Sequence, residues 1–246
     1  MARGSVSLVM AFRRADTPEP MPDADELTAR MVGIGMGFAA TAKSDADIES
    51  TLVQAAVLGL DEGDLRVLAV LTTWLGVHHA HVNADRLVWF VSAQPSERVG
   101  AYWAAVATWL EKDRRLARLT CSYKGAPVDL LATGTEFQLK RRGEDERFSA
   151  SKLRVPKGTL RDRLADVLSP EALIRHHAGY RNRVMMGPSF RADVWTVLER
   201  APDLSVADVA RSVSCSFATA WQVAQDYGLL RAAGGHRSTA PPVTAG

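Results

Sequence analysis

The chain predicts an α-rich α+β fold: a helical N-terminal domain, a small β-containing middle region, and a C-terminal unit of three helices and a short basic hairpin. Three observations lead there. Apolar residues recur at helical spacing through most of residues 45–119. From Cys121 to Lys157 that periodicity fades, and Gly125, Pro127, Gly134, Gly143 and Pro156 cut the chain into short runs. From Arg191 to Arg237 the order becomes helix, turn, helix, tight turn, helix and two short strands.

The elements follow in order. Residues 1–22 read as a flexible lead, since three prolines crowd Pro18–Pro22. Its apolar patch is followed by Arg13 and Arg14 and an acidic stretch, which is wrong for a secretory leader. A helical domain over 23–120 comes next. Ile48, Leu52, Val53, Ala56 and Leu60 share one helical face, and Asp61, Gly63 and Asp64 end that helix. Asp64–Val77 is a largely buried helix, Ala84–Val91 a third with Asn83 as N-cap, and Ser96 caps a fourth that runs to about Leu119.

Residues 121–188 form a mixed, basic region. Glu136–Arg141 and Arg147–Ala150 flank the polar turn RGEDE and suggest a β-hairpin, with Leu153–Val155 as a further strand. Thr159–Val167 is predicted as a short helix. Ser169, Pro170 and Glu171 open another that runs to about Val184 before Gly187–Pro188.

Residues 189–239 carry the functional signal. Val194, Trp195, Val197 and Leu198 give a first helix, Arg191–Arg200, its core face. Ser205 and Asp208 make a capping pair for a second helix with Val206, Val209, Ala210 and Val213 inward. After the tight turn Ser214–Cys215, Ser216 caps a third helix, Phe217–Tyr227, stopped by Gly228. Leu229–Ala232, the turn Gly234–Gly235 and His236–Thr239 follow as a hairpin, and 240–246 as a disordered tail.

The string S-F-A-T-A-W-Q-V-A-Q-D-Y-G-L-L, Ser216–Leu230, resembles the recognition helix of bacterial winged-helix transcription regulators, and the whole unit resembles their winged helix-turn-helix domain. The resemblance covers about the last fifth of the chain. It implies binding to double-stranded DNA, commonly by a homodimer. On that resemblance Phe217, Ala220, Ala224 and Tyr227 face inward. Thr219, Gln222 and Gln225 read bases, because Gln pairs bidentately with adenine and a Thr methyl meets thymine. Ser214 and Ser216 sit at the helix N-terminus, where backbone N–H groups favour a phosphate. Arg231, His236 and Arg237 on the hairpin approach the DNA backbone. Trp221 either packs in the core or touches the groove wall.

Charge bears on the same question. Residues 1–110 hold 8 Lys/Arg against 13 Asp/Glu, residues 111–200 hold 19 against 12, and the rest 3 against 3. The basic middle supplies cations that the third helix lacks. Arg175, Arg181, Arg183 and Arg191 are candidate DNA backbone contacts, with Arg175 and Arg183 about two helical turns apart on one face. The same stripe also reads as a solvated helix face.

Other classes lack support. No apolar run approaches the roughly 18–20 residues of a membrane span, so no membrane partner is expected and the location is read as cytoplasmic. Cys121 and Cys215 lie too far apart in sequence for a Cys-x-x-Cys unit and are read as buried or semi-buried free thiols. His78, His79 and His81, and the pair His176–His177, lack an acidic partner at ligand spacing, so no metal is expected. Gly33, Gly35 and Gly37 alternate in a segment with no strand–helix unit, which reads as packing or loop rather than a phosphate cradle. No nucleophile elbow, P-loop or zinc-protease motif occurs, and Asp129 and Glu136 have no evident partner; no enzyme activity and no cofactor are expected.

The leading expectation is a sequence-specific DNA-binding regulator, dimerised through the apolar helix Val99–Leu110 with Tyr102, Trp103 and Trp109. The alternative is an antitoxin or phage-defence accessory protein whose winged helix serves protein contact or dimerisation. A third possibility, an enzyme, needs a pocket of convergent polar groups within residues 26–160.

Overall fold

Side-chain caps set where the N-terminal helices begin. In this computed structural model, which describes residues 21–235, Asp23, Asp47, Asp64, Asn83 and Ser96 each accept a hydrogen bond from a first-turn backbone N–H. The helices they open are α1 (Ala24–Gly33), α2 (Ile48–Asp61), α3 (Leu65–His78), α4 (Ala84–Ser92) and α5 (Glu97–Trp109). Helices α2 and α3 are apolar nearly all round, and Leu52, Leu68, Leu71 and Trp74 are fully buried. They approach closely at Gly59, where a Cβ would lie 2.8 Å from that of Leu68.

The dimer surface expected on α5 is core instead. Tyr102 and Trp103 are both 0% exposed, and the Tyr102 hydroxyl lies 3.0 Å from that of Thr72. Helix α5 is also shorter than expected; after it the chain forms a 3-10 segment, Arg114–Ser122.

The middle region shares this core, since Leu130, Phe148, Leu153, Val155 and Leu160 pack into the same cluster. The predicted β-hairpin is not there. Glu136–Arg141 lies in a helix, α6 (Thr135–Arg142), bracketed by Gly134 and Gly143 at positive φ. A Glu136–Lys140 pair spaced i,i+4 and three cations in the last turn favour helix over strand. Arg147–Ala150 is a turn segment, held by the Arg147 guanidinium on Asp145, Asp162 and the Leu160 carbonyl. Among the described residues the strands are β1 (Val128–Asp129) and β2 (Leu153–Arg154), which pair in parallel, Val128 opposite Leu153 and Asp129 opposite Arg154.

Two more expectations change. Thr159–Val167 holds only one 3-10 turn, Leu164–Asp166. The helix expected from Pro170 to Val184 is two, α7 (Pro170–His176) and α8 (Ala178–Met186), because His177 leaves helical geometry and its Nδ1 caps α8 by accepting from Tyr180 N–H. The alternating glycines of MVGIGMGF make a turn: Gly35 has φ +90° and Gly37 donates to the Asp166 carbonyl at 2.7 Å.

The described residues end with α9 (Phe190–Arg200), α10 (Val206–Ser212) and α11 (Phe217–Gly235). Val194, Leu198, Val209, Ala210, Val213, Ala220 and Val223 form their own buried cluster. Gly228 does not stop α11. A single glycine costs only about 1 kcal/mol in a helix, and the good helix formers Leu229, Leu230, Ala232 and Ala233 carry the helix on. The expected strand Leu229–Ala232 and turn Gly234–Gly235 are therefore helical; His236–Thr239, with His236 and Arg237, and the 240–246 tail lie outside the described residues. The fold is α-rich α+β, and among the described residues no helix is long and apolar enough to cross a membrane.

Candidate nucleic-acid interface

Ser216 caps α11: its Oγ accepts from Thr219 N–H at 3.1 Å and lies 2.8 Å from Thr219 Oγ1. Before it the chain turns sharply through Ser214, which has φ 55°, a left-handed conformation that non-glycine residues seldom adopt. Ala220 and Val223 then pack down on α9 and α10, and the opposite side of α11 is open.

The expected contacts sort into three groups. Ser216, Gln222 and Gln225 are exposed on α11. Thr219 and Ser214 are half-buried, and the Thr219 hydroxyl is engaged by the cap. Phe217, expected inward, is 43% exposed, and Trp221 is 47% exposed rather than core. Both lie on the outer side because the burying line runs through Ala220, Val223 and Tyr227.

The arginines divide likewise. Arg175 and Arg231 are exposed. Arg181 is exposed and paired with Glu199 at 3.3 Å, and Arg191 with Asp226 of α11 at 2.6 Å. Arg183 is only 4% exposed and cannot reach a phosphate. The break at His177 also separates it from Arg175, so the eight-residue spacing defines no common face.

Arg183 belongs to a buried charge cluster that sequence reasoning missed. Its Nη1 and Nη2 donate to Glu49 of α2 at 2.6 and 2.8 Å, and its Nε to Asp193 of α9 at 2.8 Å. Burial opposes its charge, but Asp193 and Glu49 outweigh that and push its pKa up. Arg86 of α4, also buried, pairs with Asp47, lies 3.4 Å from Glu49 and 3.9 Å from Asp193, and donates to the Val213 carbonyl at 3.1 Å. Asn83 ties Glu49 to Asp193 by donating its backbone N–H to the first and its amide to the second, both at 2.8 Å. The available signal was two charged residues, Glu49 and Arg86, inside apolar helical faces.

The cluster sits on the seam between the larger core and the three C-terminal helices. A cleft of about 520 Å³ opens there, lined by Asp47, Arg86, His177, Asp193, Glu199 and Val213 among others, and Arg200 bridges its rim to Asp45 at 2.5 Å. His177 donates Nε2–H to the Ala46 carbonyl at 2.9 Å, and burial lowers its pKa.

The histidines build no metal centre among the described residues. His78 is buried, its Nε2 donating to the Leu168 carbonyl at 2.9 Å and its Nδ1 accepting from the Tyr180 hydroxyl at 2.8 Å. Cys215 is buried as expected, but Cys121 is exposed on the 3-10 segment. Asp129 and Glu136, without evident partners in the sequence, both pair with Arg154. No family model matches the chain, and no curated protein and no solved structure resembles it significantly.

Proposed function

We propose that the C-terminal three-helix unit is a helix-turn-helix that binds double-stranded DNA, with α11 as the helix that enters the major groove, and that the protein regulates transcription through it. One observation carries the reading. A seven-residue α10 and the left-handed turn at Ser214 present α11 with its capped N-terminus and with Gln222 and Gln225 open to solvent. Gln222 and Gln225 are the base readers, and Ser216 sits where a phosphate meets the helix N-terminus. Arg191 and Arg231 contribute backbone contacts. Thr219 has a secondary part, since its hydroxyl is engaged, and Arg183 has none.

The test is binding to random-sequence duplex DNA across a salt series. Gln222→Ala is expected to lose discrimination between sequences with little change in salt dependence, and Arg191→Ala to weaken all sequences alike and lower the salt slope by about one. Duplex binding unaffected by both variants overturns the proposal.

A second reading has its own support. Phe217 and Trp221 are one turn apart and exposed on α11, and Leu229 beyond them is 71% exposed. The exposed pair Phe217 and Trp221 suits contact with protein, either a second copy or the partner of an antitoxin or defence accessory factor. Sedimentation separates the two: a concentration-dependent dimer abolished by Trp221→Ala, without DNA binding, favours protein contact.

A further inference from the structure

The notable surface outside the C-terminal unit is α6. Of its eight residues only Thr135 is buried. Phe137 is 63% exposed, more open than any other Phe, Tyr or Trp side chain among the described residues. Lys140 and Arg141 follow it by three and four residues, so all three side chains share one helical face, with both cations one turn C-terminal to the ring. Arg141 and the neighbouring Arg142 are exposed and make no ion pair among the described residues. The helix's own carboxylate, Glu136, is shared between Arg154 at 3.2 Å and Lys140 at 3.4 Å, an exposed pair that a phosphate can displace from Lys140.

Cations in a last helical turn are favoured by the helix dipole alone. That accounts for Lys140, Arg141 and Arg142 but not for Phe137, which a purely electrostatic end would replace with a polar residue. An open ring with two cations one turn away on the same face matches a nucleotide whose base is unstacked: the base lies on the ring and the adjoining phosphates meet the cations. A duplex keeps its bases inside the stack. A membrane surface would require a broader apolar face than one ring on an eight-residue helix.

We propose that α6 binds single-stranded nucleic acid, with Phe137 as the stacking platform and Lys140 and Arg141 as phosphate contacts. The site is separate from α11 and does not depend on how that helix is used.

The experiment uses the full chain and a fluorescent oligothymidylate about twelve nucleotides long, titrated from about 50 to 200 mM salt. Lys140→Ala with Arg141→Ala is expected to weaken binding at least tenfold and flatten the salt slope. Phe137→Ala is expected to weaken it about tenfold at an unchanged slope, and Phe137→Trp to restore it. All these side chains are exposed, and circular dichroism and the unfolding midpoint confirm that each variant folds. Gln222→Ala, the α11 variant, is expected to leave oligonucleotide affinity unchanged. Wild-type affinity in the Phe137 and double variants overturns the proposal. So does loss of oligonucleotide binding in Gln222→Ala, or binding through these residues to anionic vesicles or an acidic peptide but not to the oligonucleotide. Loss of duplex discrimination at α11 with oligonucleotide binding intact, or the reverse, identifies which of the two sites fails.

Discussion

Arg86 donates a 3.1 Å hydrogen bond to the carbonyl of Val213, 127 residues later in the chain, and so ties the larger core to the turn that launches α11. Val213 is the C-cap of α10, and its carbonyl is among those a helix end leaves without an internal partner. The same guanidinium is held by Asp47, Glu49 and Asp193. The direction of α11 is therefore set partly by a residue of α4.

Arg86→Met should destabilise the protein by about 3–5 kcal/mol, because it strands buried carboxylates without their counter-charge. Urea unfolding measures this. Hydrogen exchange should speed up first in residues 206–223, where the turn loses its anchor. A loss below about 1 kcal/mol would mean that the cluster is not holding the seam.

Arg183→Ala should behave as a core lesion and not as a lost DNA contact. Its two carboxylate partners are 0% and 6% exposed, so removal should cost about 3–5 kcal/mol. Arg183→Lys should recover only part of this, because an ammonium cannot reproduce the paired contacts to Glu49. Chemical denaturation of both variants checks the order.

Stability should fall on acidification. Burial lowers the pKa of His78 from 6.5 to about 4, and burial also lowers that of His177. Between those limits the unfolded chain binds more protons than the folded one. The stabilisation is complete above about pH 6.5 and drains away as pH falls towards 4, with His78 contributing on the order of 3 kcal/mol. Unfolding free energies across that range should show the decline, and His78→Gln should flatten it. A flat profile in the native sequence contradicts the buried neutral ring.

Ser214 offers a test of the turn. At φ 55° a glycine avoids the Cβ penalty, so Ser214→Gly should stabilise by about 0.5–1 kcal/mol, and the β-branched Ser214→Val should destabilise by about 1–2 kcal/mol. Thermal melts resolve both. The reverse order would exclude a left-handed turn.

Phe217→Ala and Trp221→Ala should each change stability by less than about 0.5 kcal/mol, since both side chains are more than 40% exposed. A larger loss would place them in a contact within the chain.

The starts of α2 to α5 and of the three C-terminal helices were legible because caps and apolar spacing are local signals; α1, capped by Asp23, was not read from the residues. Asn83 opens α4, Ser96 opens α5, and Ser205 and Ser216 open the second and third helices of the final unit, all as read from the residues. The middle region was not. Residues 136–141 carry no apolar period; their helix rests on the i,i+4 Glu136–Lys140 pair and on cations in the last turn, with Gly134 and Gly143 at positive φ marking its two ends.

By itself the sequence determined the α-rich composition, the capped starts of α4, α5, α10 and α11, and the outward positions of Gln222 and Gln225, since backbone propensity and capping act over a few residues. Only the tertiary structure decided that Arg183 lies inside, that Tyr102 and Trp103 fill a core and that α11 runs past Gly228. A charged side chain is buried only where partners from distant segments neutralise it. Glu49 and Arg183 are 134 residues apart, and no local pattern records their meeting.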